Sequence, residues 1–198
     1  ADLDKDSREY KVEIARVKKI IEGKKQPSAG AAVRAYARIN MLLNPKTILT
    51  RNAGANLIQS GVYNVENIIG AAIDKGLSRS TNFRTASMPS VSKQLGGVKK
   101  GISEAIDDFR QNVDTRGFDG KYDIGEGSPF KGSNVVSKVF DALDRTTGFL
   151  LDVGDRPFYE AYFADVLNQQ MKANGVSEPT EDMIAVADMV ALERTWQD

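Results

Sequence analysis

The chain of 198 residues has no cysteine and no histidine. These absences exclude a disulfide framework, a thiolate nucleophile, the usual zinc ligand sets and any imidazole acid–base step. Proline is scarce, at 6 residues, and no segment is of low complexity. Long apolar runs are missing as well. No apolar run, Gly-Phe-Leu-Leu at 148–151 among them, approaches the ~20 residues that span a bilayer, so no membrane partner is expected. The N-terminal residues are charged from the second position onward and show no leader pattern. An enzyme built from this chain alone would depend on carboxylates, Lys, Tyr, Ser or Thr.

Apolar residues make up 41% of the chain and mean hydropathy is −0.37, which places it in the soluble globular class with enough length for a sizeable core. The formal net charge is zero, with 27 basic and 27 acidic residues. The two signs are unevenly spread. Residues 27–101 hold 10 Lys/Arg against 2 Asp/Glu, and residues 102–198 hold 9 against 19. A basic stretch can serve as a phosphate-binding face. In this reading Arg79, Arg84, Lys93, Lys99 and Lys100 would touch phosphates, with Tyr63 and Phe83 the only aromatics nearby. The alternative is that basic and acidic parts pack on each other or spread over solvated faces.

Helical spacing runs through almost every ordered segment, and none shows strand alternation. Over 4–23, Tyr10, Ile14, Val17 and Ile21 share a stripe. Over 28–43, Ala32, Tyr36, Ile39 and Leu43 repeat it. Asn44 and Pro45 then restart the chain as cap and first helical residue. Ile48, Ala55, Ile58, Val62, Val65, Ile69 and Ala72 follow in steps of three and four, a coiled-coil-like seam. Residues 79–89 read as a loop. Val91, Leu95, Val98, Ile102, Phe109 and Val113 line a helix over 90–113. The Gly-rich stretch 114–133 reads as a long connection, followed by helices at 134–147, at about 150–173 and at about 180–196. Asp155 and Pro157 read as the start of the second of these, and Asn174-Gly175 as its left-handed stop. The last helix has no cap at its end, which suggests a segment of a longer polypeptide. The expectation is an all-α fold of six or seven helices in an irregular or elongated bundle. It divides into an N-terminal lobe (1–113), the Gly-rich connection (114–133) and an acidic C-terminal lobe (134–198).

Catalytic and metal motifs fail on inspection. "GFDGKY" at 117–122 lacks the spacer, the following Ser/Thr and the preceding strand of a P-loop. Asp114, Asp119, Asp123 and Glu126 miss the alternation of a calcium loop. Glu104, Asp107 and Asp108, and also Asp141 and Asp144, fall on polar helix faces. No catalytic residue, cofactor or metal is therefore expected. More informative is a continuous uncharged stripe of Asn52, Asn56, Gln59, Tyr63 and Asn67, which is either a plain solvated face or an amide ladder against another helix. Arg51 falls on the aliphatic seam. Buried there it would need a carboxylate, and Asp152 or Asp155 is the expected partner.

"LLNPKTILTRNAGANL" (42–57) and "GDRPFYEAYFADVLNQQMKANG" (154–175) together resemble the α-helical regions of very large polyvalent proteins of phages, prophages and conjugative elements. The matching positions are Asn44, Pro45, Thr47, Arg51, Asn52, Asn56, Asp155, Arg156, Pro157 and Phe158. The resemblance implies a phage or mobile-element protein, in the cytoplasm of a bacterial host or associated with the virion, and transfers no catalytic residue. The expected function is a non-enzymatic helical scaffold or interaction module whose partners are other segments of a larger polypeptide or other helical proteins. A nucleic-acid-binding helical domain using 27–101 is the alternative, and a homo-oligomer is left open.

Overall fold

The computed structural model describes residues 7–23, 53–81, 87–113, 115 and 135–195. These residues form five helices and no strand, so the fold is all-α. The chain divides into two compact units, one made of 1–48 with 104–152 and the other of 49–103 with 153–198.

Local capping chemistry sets most of the helix ends. Helix α1 (Arg8–Gly23) begins behind Ser7, whose hydroxyl accepts the Tyr10 N–H at 3.2 Å. Helix α2 covers Gly54–Thr81. Helix α3 (Val91–Gln111) begins behind Ser90, whose carbonyl accepts from the Lys93 and Gln94 N–H groups at 3.0 Å each. It ends at Asn112, left-handed at φ 54°, where the Val113 N–H returns to the Asp108 carbonyl at 3.0 Å. Helix α4 is a single 40-residue element, Val135–Asn174. Gly175 at φ 66° closes it, and the Val176 N–H bonds the Met171 carbonyl at 3.0 Å in a Schellman arrangement. Helix α5 (Glu181–Thr195) starts behind Thr180, which accepts the Met183 N–H at 3.3 Å.

Two expected helices, 134–147 and about 150–173, are therefore one. Asp155 and Pro157 stand inside α4, not at a helix start. An interior proline forfeits a backbone hydrogen bond at a cost of about 3 kcal/mol. Here that turn is buried: Asp155 and Arg156 have 4% and 3% exposure, and α3 closes on it. The expected loop at 79–89 begins later, because α2 continues to Thr81. The expected helix over 28–43 and the restart at Asn44 and Pro45 lie outside the described residues. So does the 114–133 connection apart from Thr115.

In the first unit, Arg8 of α1 meets three carboxylates of α3: Glu104 and Asp107 at 3.7 Å and Asp108 at 3.2 Å. The other Asp108 oxygen accepts from the Thr115 N–H at 3.0 Å and hydroxyl at 2.7 Å. The Phe109 and Phe149 rings pack at 4.6 Å, with the Arg145 guanidinium 5.5 Å from the Phe109 ring centre. In the second unit, Tyr63, Tyr162 and Ala191 form the buried centre, with Phe158, Tyr159, Phe163 and Val166 packed around it. Tyr63 and Tyr162 meet edge to face at 4.9 Å, the arrangement their ring quadrupoles favour.

The faces buried by these helices reverse the expected ones. On α2 the aliphatic seam is outermost, with Ile58 at 72% exposure and Val65 at 57%, while Asn56 and Tyr63 are buried. On α3, Val91, Leu95, Ile102 and Phe109 are exposed. Gln94, Gly97, Gly101, Ala105 and Asp108 are buried instead. On α1, Ile14, Val17 and Ile21 face outward and Val12 is buried. On α5 the buried residues are Ala187, Ala191 and Thr195. The physical reason is most visible where α3 meets α4. A Cβ built on Gly101 would lie 2.7 Å from the Pro157 Cα, and one built on Gly97 would run into the Glu160 carbonyl. Backbones this close leave no room for large aliphatic side chains, so the small and polar side of each helix is the one that packs.

Candidate functional site

The uncharged polar stripe of α2 turns inward and meets α3 and α4 in the second unit. Asn56 donates through Nδ2 to the Gly154 carbonyl at 3.1 Å and to the Asp155 carboxylate at 3.0 Å. The two stretches that carry the sequence resemblance therefore touch, through Asn56 and Asp155. Two turns further along α2, the Tyr63 hydroxyl donates to Asp165 Oδ2 at 3.0 Å. Asn67 and Asn64 donate back to the carbonyls of Tyr63 and Ser60 in their own helix, at 2.8 and 2.9 Å.

Asp165 is the hub of this seam. It has no exposed surface, and four donors surround it. Its Oδ1 accepts the Ser90 N–H at 2.6 Å, at the N-terminus of α3, where the helix dipole favours an anion. Its Oδ2 accepts from the Tyr63 hydroxyl and from the side-chain amides of Gln94 at 3.1 Å and Gln169 at 2.9 Å. Gln94 in turn exchanges a pair of hydrogen bonds with Asn64, at 2.8 and 3.2 Å. A buried carboxylate without partners is prohibitively costly, and this one is held by hydrogen bonds from all three helices. Both oxygens are engaged, and the carboxylate is sealed from solvent.

The neighbouring tyrosines show the same electrostatics. Burial, reinforced by the Asp165 charge and by the hydrogen bond to it, pushes the Tyr63 hydroxyl above the ordinary tyrosine range. Burial and the hydrogen bond from Tyr159 to Asp188 of α5 do the same for Tyr159. Both therefore remain protonated donors. Burial also raises Tyr162, opposed by Ser60 and Arg194, although its hydroxyl reaches no partner with hydrogen-bond geometry. Arg194 lies 5.7 Å from the Tyr63 ring centre and pairs with Glu66 at 3.0 Å.

Of the residues singled out from the sequence, Asn56, Asp155, Arg156 and Pro157 gather in the second unit around the turn of α4 that α3 approaches. Asp152 is buried on α4 in the first unit. Asp152 and Asp155 both stand inside α4 and not at a helix start. Asn44, Pro45, Arg51, Asn52 and Arg84 lie outside the described residues, so the Arg51 pairing does too. Among the basic candidates, Arg79, Lys93 and Lys99 are exposed, while Lys100 is bound to the Glu160 carboxylate at 2.8 Å. Among the described residues no group of three or more acidic side chains is placed to hold a metal ion, and no helix is long and apolar enough to cross a membrane.

The sequence reading missed Gln94, Gly97, Gly101, Asp165 and Gln169. Two signals could have found most of them. Gly97 and Gly101 form the small-x-x-x-small spacing of close helix contact, and Asp165 is a lone charge in the otherwise apolar "AYFADVL" run (161–167).

Comparison with protein-family models, with curated proteins and with solved structures gives no match.

Proposed function

We propose that this chain is a non-enzymatic helical scaffold or interaction module belonging to a large phage or mobile-element protein. The observation that carries this reading is the orientation of the helices. In the second unit they close on one another through amides, glycines and alanines, and in both units the aliphatic rows turn outward: Ile14 and Val17 on α1, Ile58 and Val65 on α2, Val91 and Leu95 on α3. Exposed apolar rows of this kind mark interaction sites. The sealed state of Asp165 supports a structural role for the most deeply buried carboxylate. The resemblance of 42–57 and 154–175 to helical regions of polyvalent proteins supports the wider setting, and the contact between Asn56 and Asp155 gives those motifs a shared structural purpose.

The test is to express the chain alone and joined to the flanking segments of its own gene product, and to compare hydrogen exchange and dye binding to apolar surface. The expected result is that the outer rows of α1 and α3 become protected in the joined protein. Unchanged exposure in both forms would sink the reading.

A second reading, a nucleic-acid-binding helical domain, draws on the exposure of Arg79, Lys93 and Lys99. It predicts binding of duplex or single-stranded DNA at ~50 mM salt with a steep salt dependence. The engagement of Lys100 by Glu160 removes one of its cations, and for this reason it ranks second.

A further inference from the structure

We infer that the outer face of α2 is the seam of an antiparallel homodimer in which two copies of this chain pair α2 against α2. This deepens, and rests on, the reading of the outward aliphatic rows as interaction surfaces.

The face has the three properties such a seam needs. The first is periodicity. Ile58, Val62, Val65, Ile69, Ala72 and Gly76 succeed one another in steps of four and three, the alternation that keeps a stripe facing a partner helix in a left-handed coiled coil. This run extends over most of the 28 residues of α2. The second is area and charge. Ile58, Val62, Val65, Ile69 and Ile73 are 45–72% exposed. With the adjoining small residues they amount to roughly 500–600 Å² of apolar surface, near the lower end of what each partner of a stable interface buries. Between Ile58 and Gly76 no charged side chain falls on the stripe, Arg79 continues it at its C-terminal end, and Glu66 on its margin is neutralised by Arg194 at 3.0 Å.

The third property selects a second copy as the partner and fixes its direction. The stripe is large at its N-terminal end (Ile58, Val62) and small at its C-terminal end (Ala72, Gly76). An isologous antiparallel pair brings each position against its counterpart about the two-fold axis. Centred on Val65 opposite Ile69, it sets Val62 against Ala72 and Ile58 against Gly76. The large N-terminal end of each stripe then faces the small C-terminal end of the other. A parallel pair would stack Gly76 on Gly76 and Ala72 on Ala72, leaving one end hollow.

The experiment is sedimentation equilibrium of the full 198-residue chain with cross-linking in its naturally cysteine-free background. The expected result is a concentration-dependent dimer of twice 21.6 kDa. Ile69→Glu, placed at an exposed position so that the helix content of the monomer is retained by circular dichroism, should weaken that dimer by about a hundredfold or more. Mixing Ile58→Cys with Gly76→Cys chains under oxidation should give a covalent heterodimer, and Ile58→Cys alone should give none. The cross-link does not depend on the Ile69 variant folding. A monomer at every concentration overturns the inference, as does a dimer insensitive to Ile69→Glu, or self-cross-linking of Ile58→Cys. Failure here is distinct from failure of the proposed function, because a chain that stays monomeric and yet becomes protected by its flanking segments keeps the latter.

Discussion

The two units hold their helices together by opposite means. The first joins α1 to α3 through one partly exposed arginine facing three carboxylates, and adds a pair of phenylalanines. The second joins α2, α3 and α4 through a fully buried carboxylate and the amides around it, beside backbone contacts only glycine permits. Exposed ion pairs are worth ~0–1 kcal/mol and are screened by salt. Buried polar groups contribute little net stability when satisfied but cost dearly when one member is removed. The comparison teaches that the second unit is specified by its seam, because few other partners can satisfy Asp165, whereas the first is clasped by contacts that tolerate exchange.

The largest effect should follow from emptying the hub. Asp165→Ala leaves the Ser90 N–H, the Tyr63 hydroxyl and the Gln94 and Gln169 amides without their acceptor, with an expected loss of about 4 kcal/mol, measured by denaturant unfolding. A loss under about 1 kcal/mol would show that the seam is not a specifying element. Next is Gly101→Val. With Pro157 and Arg156 backbone atoms at 2.7–2.8 Å from the added Cβ, α3 must move away, at about 1–3 kcal/mol. An unchanged melting temperature would refute the close approach.

The tyrosines sharpen the comparison through pH. Tyr63 and Tyr159 have folded pKa values raised above their unfolded ones, near 10. The folded state therefore retains more protons in alkaline solution, and the stability these groups confer is complete below pH 10 and lost as pH rises above it. The expected slope is up to about 1.4 kcal/mol per pH unit for each group. Phenolate absorbance of these two should appear together with unfolding, and Tyr63→Phe should flatten the decline. Phenolate formation in a fully helical chain would contradict this. The smallest effect belongs to the first unit. Arg8→Ala should cost about 1–2 kcal/mol at low salt, because Asp108 is buried but keeps its Thr115 donors, and the difference should shrink as salt is raised. A large, salt-insensitive loss would place Arg8 in the same class as Asp165 and dissolve the contrast.

Much of the local structure was legible in the sequence. The caps are written in the residues themselves: Ser90 before α3, Thr180 before α5, and Asn174-Gly175 after α4, where only a residue at ease with positive φ closes the turn. The all-α class followed from periodicity, and the polar stripe through Asn56, Tyr63 and Asn67 was visible as a stripe. The candidate site was legible in part. Asn56 and Asp155 were singled out, but their contact was not, and Asp165 was passed over because a single carboxylate in an apolar run announces a cost without naming the groups that offset it. Pro157 was misplaced because its fixed φ suits the first turn of a helix equally well, and only the packing of α3 against that turn compensates an interior proline.

Periodicity alone determined which residues share a helix face, because 3.6 residues per turn is a property of the backbone. Which face turns inward was decided only in the tertiary structure. Side-chain hydrophobicity favours burying Ile58, Val65 and Leu95, and in a single helix nothing opposes it. Opposition arises when several helices meet. Gly97 and Gly101 let α3 approach α4 at backbone distance, Ala187 and Ala191 provide a small buried face on α5, and the Asp165 network is satisfied only if Tyr63, Gln94 and Gln169 converge from three directions. These terms exist between helices and not within any one of them, which is why the polar rows pack inside and the aliphatic rows are left to the surface.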